Sequence, residues 1–228
     1  MTAAARAPAF GRAPLFRQET AARGTAIVSR MTRSPDADAE PSDAALLALY
    51  ADGDQAAARM LTARHAPRVF ALARRMLGEV AEAEDVTQET MLRLWKIAPD
   101  WQADRAAVAT WLYRVASNLC IDQLRRRRNP TRSASDDALP EIADDAPGAE
   151  HRLQADDRAA ALREALAALP DRQRLAILLR HFEDRPNPEI AAILDASVEA
   201  VESLLARARR DLAQRLAPRR AELGFTDG

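Results

Sequence analysis

The chain of 228 residues has little of what most small folds other than helical ones require. Its one cysteine, Cys120, excludes an internal disulfide and any cysteine-rich zinc site. The only histidines, His65, His151 and His181, are widely separated in the sequence, so metal chemistry is not expected and no cofactor is implied. Glycine numbers only 7 and aromatic residues make up 4%. β-Sheets need turn glycines and β-branched or aromatic strands, so this alanine-rich composition points to an all-α fold. No apolar run approaches the roughly 18 residues of a membrane-spanning helix, so no membrane insertion is expected. Together these absences predict a reduced-compartment, cytoplasmic protein. Lysine is reduced to Lys96, which leaves arginine as almost the sole carrier of positive charge.

What is present is unevenly placed. Apolar residues are 48% and charged residues 29%, enough for globular modules, and the net charge is only −1. Residues 129–157, however, hold two basic and eight acidic side chains, while the segments on either side are slightly positive. Basic helical modules joined by an acidic connector suit a polyanion or a large partner. A net charge near zero does not suit a non-specific nucleic-acid coat.

Residues 1–41 have no sustained period, and Arg6, Arg12, Arg17 and Arg23 interrupt any signal-peptide core, so a disordered tail is expected. Met31 offers a second start, which would place residues 1–30 upstream of the native product. Residues 42–129 read as a four-helix module. Ser42 and Asp54 cap its first two helices, Pro67 restarts or kinks the second, and Gly78 stops it. The third helix covers roughly 81–98 and the fourth roughly 105–128. Residues 130–157, acidic and broken by prolines, form a flexible linker that should not fold alone. A second module over 158–217 holds helices near 158–168, 171–183, 188–194 and 198–216. Residues 218–228 form a tail with no assigned role.

Three constellations carry functional information. The helices at 188–194 and 198–216 have helix-turn-helix spacing. Ile190, Ala191 and Leu194 of the first and Val198, Val201, Leu204 and Leu205 of the second pin them together, and Asp195-Ala196-Ser197 makes the turn. Ser197 caps the second helix and puts backbone N–H groups within reach of a phosphate. Glu202, Ser203 and Arg207 lie on the side that the core does not need. The second constellation is Trp111-Leu112-Tyr113-Arg114 with Asn118, Asp122 and Arg125 to Arg128. Four successive arginines on a helix point about 100° apart, so only two or three can face one partner. The third is an acidic helical face at Glu84-Asp85-Val86-Thr87-Gln88-Glu89-Thr90, which runs into Leu92-Arg93-Leu94-Trp95.

In this order the three constellations resemble the bacterial RNA polymerase sigma factors of the sigma-70 family. The two-module layout resembles the extracytoplasmic-function type over residues 42–217. Asp85 to Glu89 with Leu92 to Trp95 resembles the helix that binds core polymerase. Thr110 to Asn118, Asp122 and the arginines resemble the helix for promoter melting and minus-ten recognition. Leu169-Pro170, Glu189-Ile190-Ala191, Val201-Glu202-Ser203 and Arg207-Ala208-Arg209 resemble the minus-thirty-five module.

The resemblance implies a role for each position. Asp85, Gln88, Glu89, Arg93 and Trp95 would meet the clamp helices of core RNA polymerase, and the second module would meet its flap. Trp111, Arg114, Asn118, Asp122, Arg125 and Arg126 would face the minus-ten element. The loop from Asp100 to Arg105 would hold a flipped base, whose unstacking costs a few kcal/mol. Ser197, Glu202, Ser203, Arg207 and Arg210 would meet minus-thirty-five DNA. No catalytic residue is implied, because polymerase performs the chemistry. An anti-sigma factor is implied as a further partner.

Some positions depart from the family pattern. Leu112 stands where primary sigma factors carry a second tryptophan of the melting wedge. Leu204 and Glu202 occupy positions that are often basic, and a glutamate can accept from cytosine N4, which would alter base preference. A linker of about 28 residues spans about 30 Å as a coil and about 90–100 Å when extended. Promoter elements two turns apart, at about 34 Å per turn, need more than the coil length. A stand-alone helix-turn-helix regulator is the alternative reading; it accounts for 158–217 and leaves the 81–98 helix and the linker without a task.

Overall fold

A computed structural model describes residues 40–102, 106–128 and 149–219, and all the regular structure among them is helical. Ser42 starts α1 (Asp43–Ala51), its hydroxyl accepting the Ala45 N–H at 3.2 Å. Asp54 likewise caps α2 (Gln55–Leu77) through the Ala56 N–H at 2.7 Å. Such caps contribute about 1 kcal/mol each.

Helix α2 continues through Pro67 without restarting there. Proline lacks the N–H that would bond the Ala63 carbonyl. Both residues lie on the exposed side, where water can take that carbonyl. Leu61 and His65 before the proline, and Val69, Leu72 and Met76 after it, are buried and hold the two halves in line. Gly78 ends the helix at φ 86°, its N–H bonded to the Arg74 carbonyl. The buried His65 Nε2 lies 2.7 Å from Asp43 Oδ2, and Arg64 donates to Oδ1 at 2.9 Å, which fastens α1 to α2.

Helix α3 (Val80–Ile97) passes into one 3₁₀ turn, Ala98–Asp100, at Pro99. Helix α4 (Val108–Arg128) completes the first module, in which α2 packs against α1, α3 and α4. The buried Thr90 is satisfied within its own helix, where its hydroxyl donates to the Val86 carbonyl at 2.7 Å.

The second module holds α5 (Ala149–Ala167), α6 (Asp171–His181), α7 (Asn187–Leu194) and α8 (Val198–Leu216). Helix α5 begins at 149, not near 158, which corrects the linker boundary. Between Gly148 and Pro170 there is no proline or glycine, and the Ala-, Leu-, Glu- and Arg-rich segment has high helix propensity, which outweighs its acidity. The connector between α4 and α5 is therefore residues 129–148. The other helix ends match the sequence reading within one to three residues. Asp195 adopts the left-handed conformation (φ 51°), as its short polar side chain permits.

The two modules touch. Helix α4 packs along α7 and α2 packs on α6, so one buried apolar cluster runs from Leu46 to Ala208. Each fully buried leucine in it contributes about 1.5–3 kcal/mol. No helix among the described residues is long and apolar enough to cross a membrane. The tail with Met31, the connector at 129–148, Arg105 and the last nine residues lie outside the described residues.

Candidate nucleic-acid interface

Helix α4 is amphipathic in a way that sorts its polar residues. Val108, Leu112, Tyr113, Ala116, Ser117, Cys120 and Leu124 are buried. The opposite side carries Trp111, Arg114, Asn118, Asp122 and Arg125, spaced by 3, 4, 4 and 3 residues, so they fall on one continuous face. Trp111 is half-buried and the other four are exposed. Arg126 is exposed beside this face. The arginine run divides evenly. Arg127 turns back onto its own module, its Nε donating to Glu82 Oε1 and an Nη to the Leu77 carbonyl, both at 2.9 Å. Arg128 pairs with Asp171. Arg125 and Arg126 remain on the solvent side, with Arg125 only loosely near Asp122 at 3.9 Å.

At the N-terminal end of this face lies a cavity of about 250 Å³, lined by Ile97, Asp100, Trp101, Gln102, Ala106 and Trp111. The Trp101 and Trp111 rings meet edge to face, with centroids 6.0 Å apart and planes at 87°. Trp101 Nε1 is buried and meets no acceptor of the protein among the described residues. The cavity thus offers aromatic walls, one unused N–H donor and an exposed carboxylate at Asp100. Such walls suit a planar ring, and base–aromatic stacking contributes about 1–3 kcal/mol per base. Trp101 was not among the residues singled out by pattern. The signal was faint: a second tryptophan ten residues before Trp111 in an aromatic-poor chain.

Helix α3 presents Asp85, Gln88, Leu92 and Arg93 to solvent, with Glu89 half-exposed among them. Glu89 and Arg93 form an i,i+4 pair at 2.7 Å. Leu92, 49% exposed, puts an apolar patch at the centre of this charged surface. Trp95 borders it. Its ring, partly buried at the edge of this surface on the same helical stripe as Gln88 and Leu92, packs on Tyr50 of α1 at 4.7 Å.

In the helix-turn-helix, Val201, Leu205 and Ala208 of α8 are buried, and Ser203, Arg207 and Arg210 lie on the opposite side, with Glu202 on its flank. The Ser197 hydroxyl accepts the Ala200 N–H at 3.2 Å. The Glu199 carboxyl is held below its ordinary range, first by its own backbone N–H and then by Ser197. Part of the N-terminus of α8 is therefore already satisfied by its own side chains, which leaves less of it for a phosphate than the cap alone suggests. From α6, an Arg172 Nη donates to the Leu194 carbonyl at 2.9 Å and holds the turn in place.

Four groups at the seam between the modules went unnoticed in the sequence: Arg75, Arg174, Glu183 and Arg185. Tyr113 reaches across it, its hydroxyl donating to Glu183 Oε2 at 2.6 Å. Among the described residues, no group of three or more His, Cys, Asp or Glu side chains could hold a metal ion.

Residues 61–129 match the sigma-70 region 2 family, and residues 159–212 match sigma-70 region 4. The ECF RNA polymerase sigma factor SigE of Mycolicibacterium smegmatis is 35% identical over 192 residues, covering 80% of this chain and 72% of that protein. The ECF RNA polymerase sigma factor SigM of Mycobacterium tuberculosis is 34% identical, covering 78% and 86%. Among solved structures, CnrH in complex with the cytosolic domain of CnrY has a TM-score of 0.60 at 29% identity, covering 78% of this chain and 99% of that one. The sigma factor RpoE of Bartonella quintana, solved with the anti-sigma factor NepR, shares the fold with a TM-score of 0.53 at 20% identity, covering 70% and 96%.

Proposed function

The chain belongs to the extracytoplasmic-function RNA polymerase sigma factors of the sigma-70 family, and from that premise we propose how its surfaces divide the work of promoter recognition. The observation that carries the reading is the single exposed face of α4, with Trp111 and the aromatic cavity at one end and Arg125 at the other. Arg114, Arg125 and Arg126 neutralise phosphates of the minus-ten region, and each neutralised phosphate makes binding more salt-dependent. Asn118 and Asp122 read base edges between them. A base flipped out of the stack enters the cavity between Trp101 and Trp111, and stacking there offsets the few kcal/mol of unstacking. Arg105, outside the described residues, belongs to the same proposed minus-ten surface.

Asp85, Gln88, Glu89 and Arg93, around the exposed Leu92, dock on the clamp helices of core RNA polymerase. Trp95 borders that surface and is braced by Tyr50. The second module meets the polymerase flap and places Ser203, Arg207 and Arg210 of α8 in the major groove of the minus-thirty-five element. Glu202 accepts from cytosine N4, and Ser197 contributes at the helix start. The factor acts in the cytoplasm as a specificity subunit and contributes no catalytic residue, the chemistry being polymerase's own. An anti-sigma factor is its regulator; the complex of CnrH with the cytosolic domain of CnrY shows a similar chain bound by a protein partner. The domains divide as 42–129 and 158–217 in function, although α5 starts earlier.

Separating the surfaces tests this division. Glu89→Ala with Arg93→Ala is expected to weaken assembly with core polymerase. Asn118→Ala with Arg125→Ala is expected to leave assembly intact and to abolish promoter opening, read by permanganate reactivity of unpaired thymines. If both pairs of substitutions impair assembly equally, the assignment of surfaces is wrong.

A further inference from the structure

In the proposed function, on which this inference rests, α8 enters the major groove of the minus-thirty-five element, and one exposed residue of that helix has no task. Val201, Leu205 and Ala208 turn inward. On the opposite side Glu199, Ser203, Ala206 and Arg210 are exposed and follow one another at spacings of 4, 3 and 4 residues, so they form one stripe along the helix. Glu202 flanks this stripe on one side and Arg207 on the other. Glu199 therefore heads the same surface that carries Ser203 and Arg210.

Charge is sorted along this surface. Glu199 and Glu202 lie near the start of α8, and Arg207, Arg209 and Arg210 lie from its middle onward. The Glu199 carboxyl is held below its ordinary range, first by its own backbone N–H and then by the Ser197 hydroxyl, so it is ionised at neutral pH. The residue between Glu199 and Arg210 that would come nearest the groove floor, Ala206, has only a methyl group and keeps no bulk there.

An ionised carboxylate on such a surface has a narrow choice of partner. It only accepts hydrogen bonds, and DNA phosphates repel it. The N-terminal residues of a recognition helix are the ones that reach base edges. There guanine presents N7 and O6 and thymine presents O4, all acceptors that repel a carboxylate. Adenine presents its N6 amino group beside the acceptor N7, whereas cytosine presents its N4 amino group with no acceptor next to it. Three residues of helix rise about 4.5 Å, and one base pair rises about 3.4 Å, so Glu199 and Glu202 meet neighbouring pairs and not the same one. An acid in a first helical turn also favours the helix dipole. That role alone gives stability and no base preference, which separates the two accounts experimentally.

We propose that Glu199 is a specificity-determining residue of the minus-thirty-five module. Its carboxylate accepts from the N4 amino group of a cytosine in the base pair next to the one met by Glu202, and it excludes guanine and thymine at that position.

The test uses the full chain bound to core polymerase and a barcoded promoter library in which only the minus-thirty-five element is randomised. Transcripts are counted by sequencing. The parent chain is expected to favour cytosine over guanine or thymine about tenfold at one position of the strand that faces α8. Glu199→Ala should level that position alone, chiefly by raising output from the guanine and thymine templates, where repulsion is gone. Glu199→Gln, whose amide can pair with adenine N6 and N7, should move the preference to adenine. Glu202→Ala should level the neighbouring position instead. Base preferences unchanged at every position in both Glu199 variants overturn the proposal; a lowered melting temperature beside them would show that the carboxylate serves the helix dipole alone. Failure of the sigma reading shows separately, as a parent chain that yields no transcript from any member of the library.

Discussion

Two buried acids on α4 tie the stability of the fold to alkaline pH. Burial, with the Glu82 carboxylate adding to it, pushes the Cys120 thiol from an ordinary 9.0 up to about 12. Burial, then the hydrogen bond and charge of Glu183, push the Tyr113 phenol from 10.0 to about 12. Both groups are held protonated by the fold. Their contribution is complete below the unfolded values and is lost as pH rises towards about 12. The melting temperature should therefore be insensitive to these groups below about pH 9 and fall between about pH 9 and 12; calorimetry across that range checks it. A profile flat to pH 12 would show that neither group is held as described. At pH 8 the native thiol should resist a maleimide that labels the unfolded chain fully, because the thiolate is the nucleophile and is scarce there. Neither shift was legible in the sequence, since Tyr113 and Glu183 are 70 residues apart and only tertiary contact joins them.

Helix boundaries were legible wherever the signal is local. Ser42, Asp54 and Ser197 cap the helices that follow them, and Gly78 ends α2, because capping depends on neighbours within three or four residues. The exceptions have physical causes. Pro67 reads as a restart or a kink, and burial on both sides of it carries one helix through. Acidic composition read as linker over residues 149–157, where propensity makes helix. The exposed side of α4 that carries Arg114, Asn118 and Asp122 followed from spacing once the helix was known, whereas the cavity needed Trp101 folded against Trp111. Gly78→Ala tests an element end directly. A Cβ there meets nothing within 4 Å, so the cost is that of the left-handed backbone alone, about 1–2 kcal/mol. Chemical denaturation should show that loss with the denaturant slope unchanged. A neutral substitution would mean that α2 does not stop as described.

For the whole molecule, the connector decides reach. Residues 129–148 separate α4 from α5, and 20 residues extend to at most about 66–72 Å. That matches two DNA turns with almost nothing to spare. Deleting ten of them shortens the reach by about 33–36 Å. Such a chain should still assemble with core polymerase but lose the stimulation that a minus-thirty-five element provides, measured on templates with and without that element. Unchanged stimulation would show that the modules do not span the promoter through this connector. The charge pattern of the chain foreshadowed two modules and a connector, but their closed packing rests on contacts such as that of Arg174 with Met76, 98 residues apart. The central claim, that this chain directs core polymerase to promoters, is tested most directly by run-off transcription from the promoter of its own operon, with core enzyme alone and with the chain added. A defined transcript that appears only with the chain is the predicted result. DNA binding by the chain alone with no transcript from core polymerase would contradict the account and favour a stand-alone helix-turn-helix regulator.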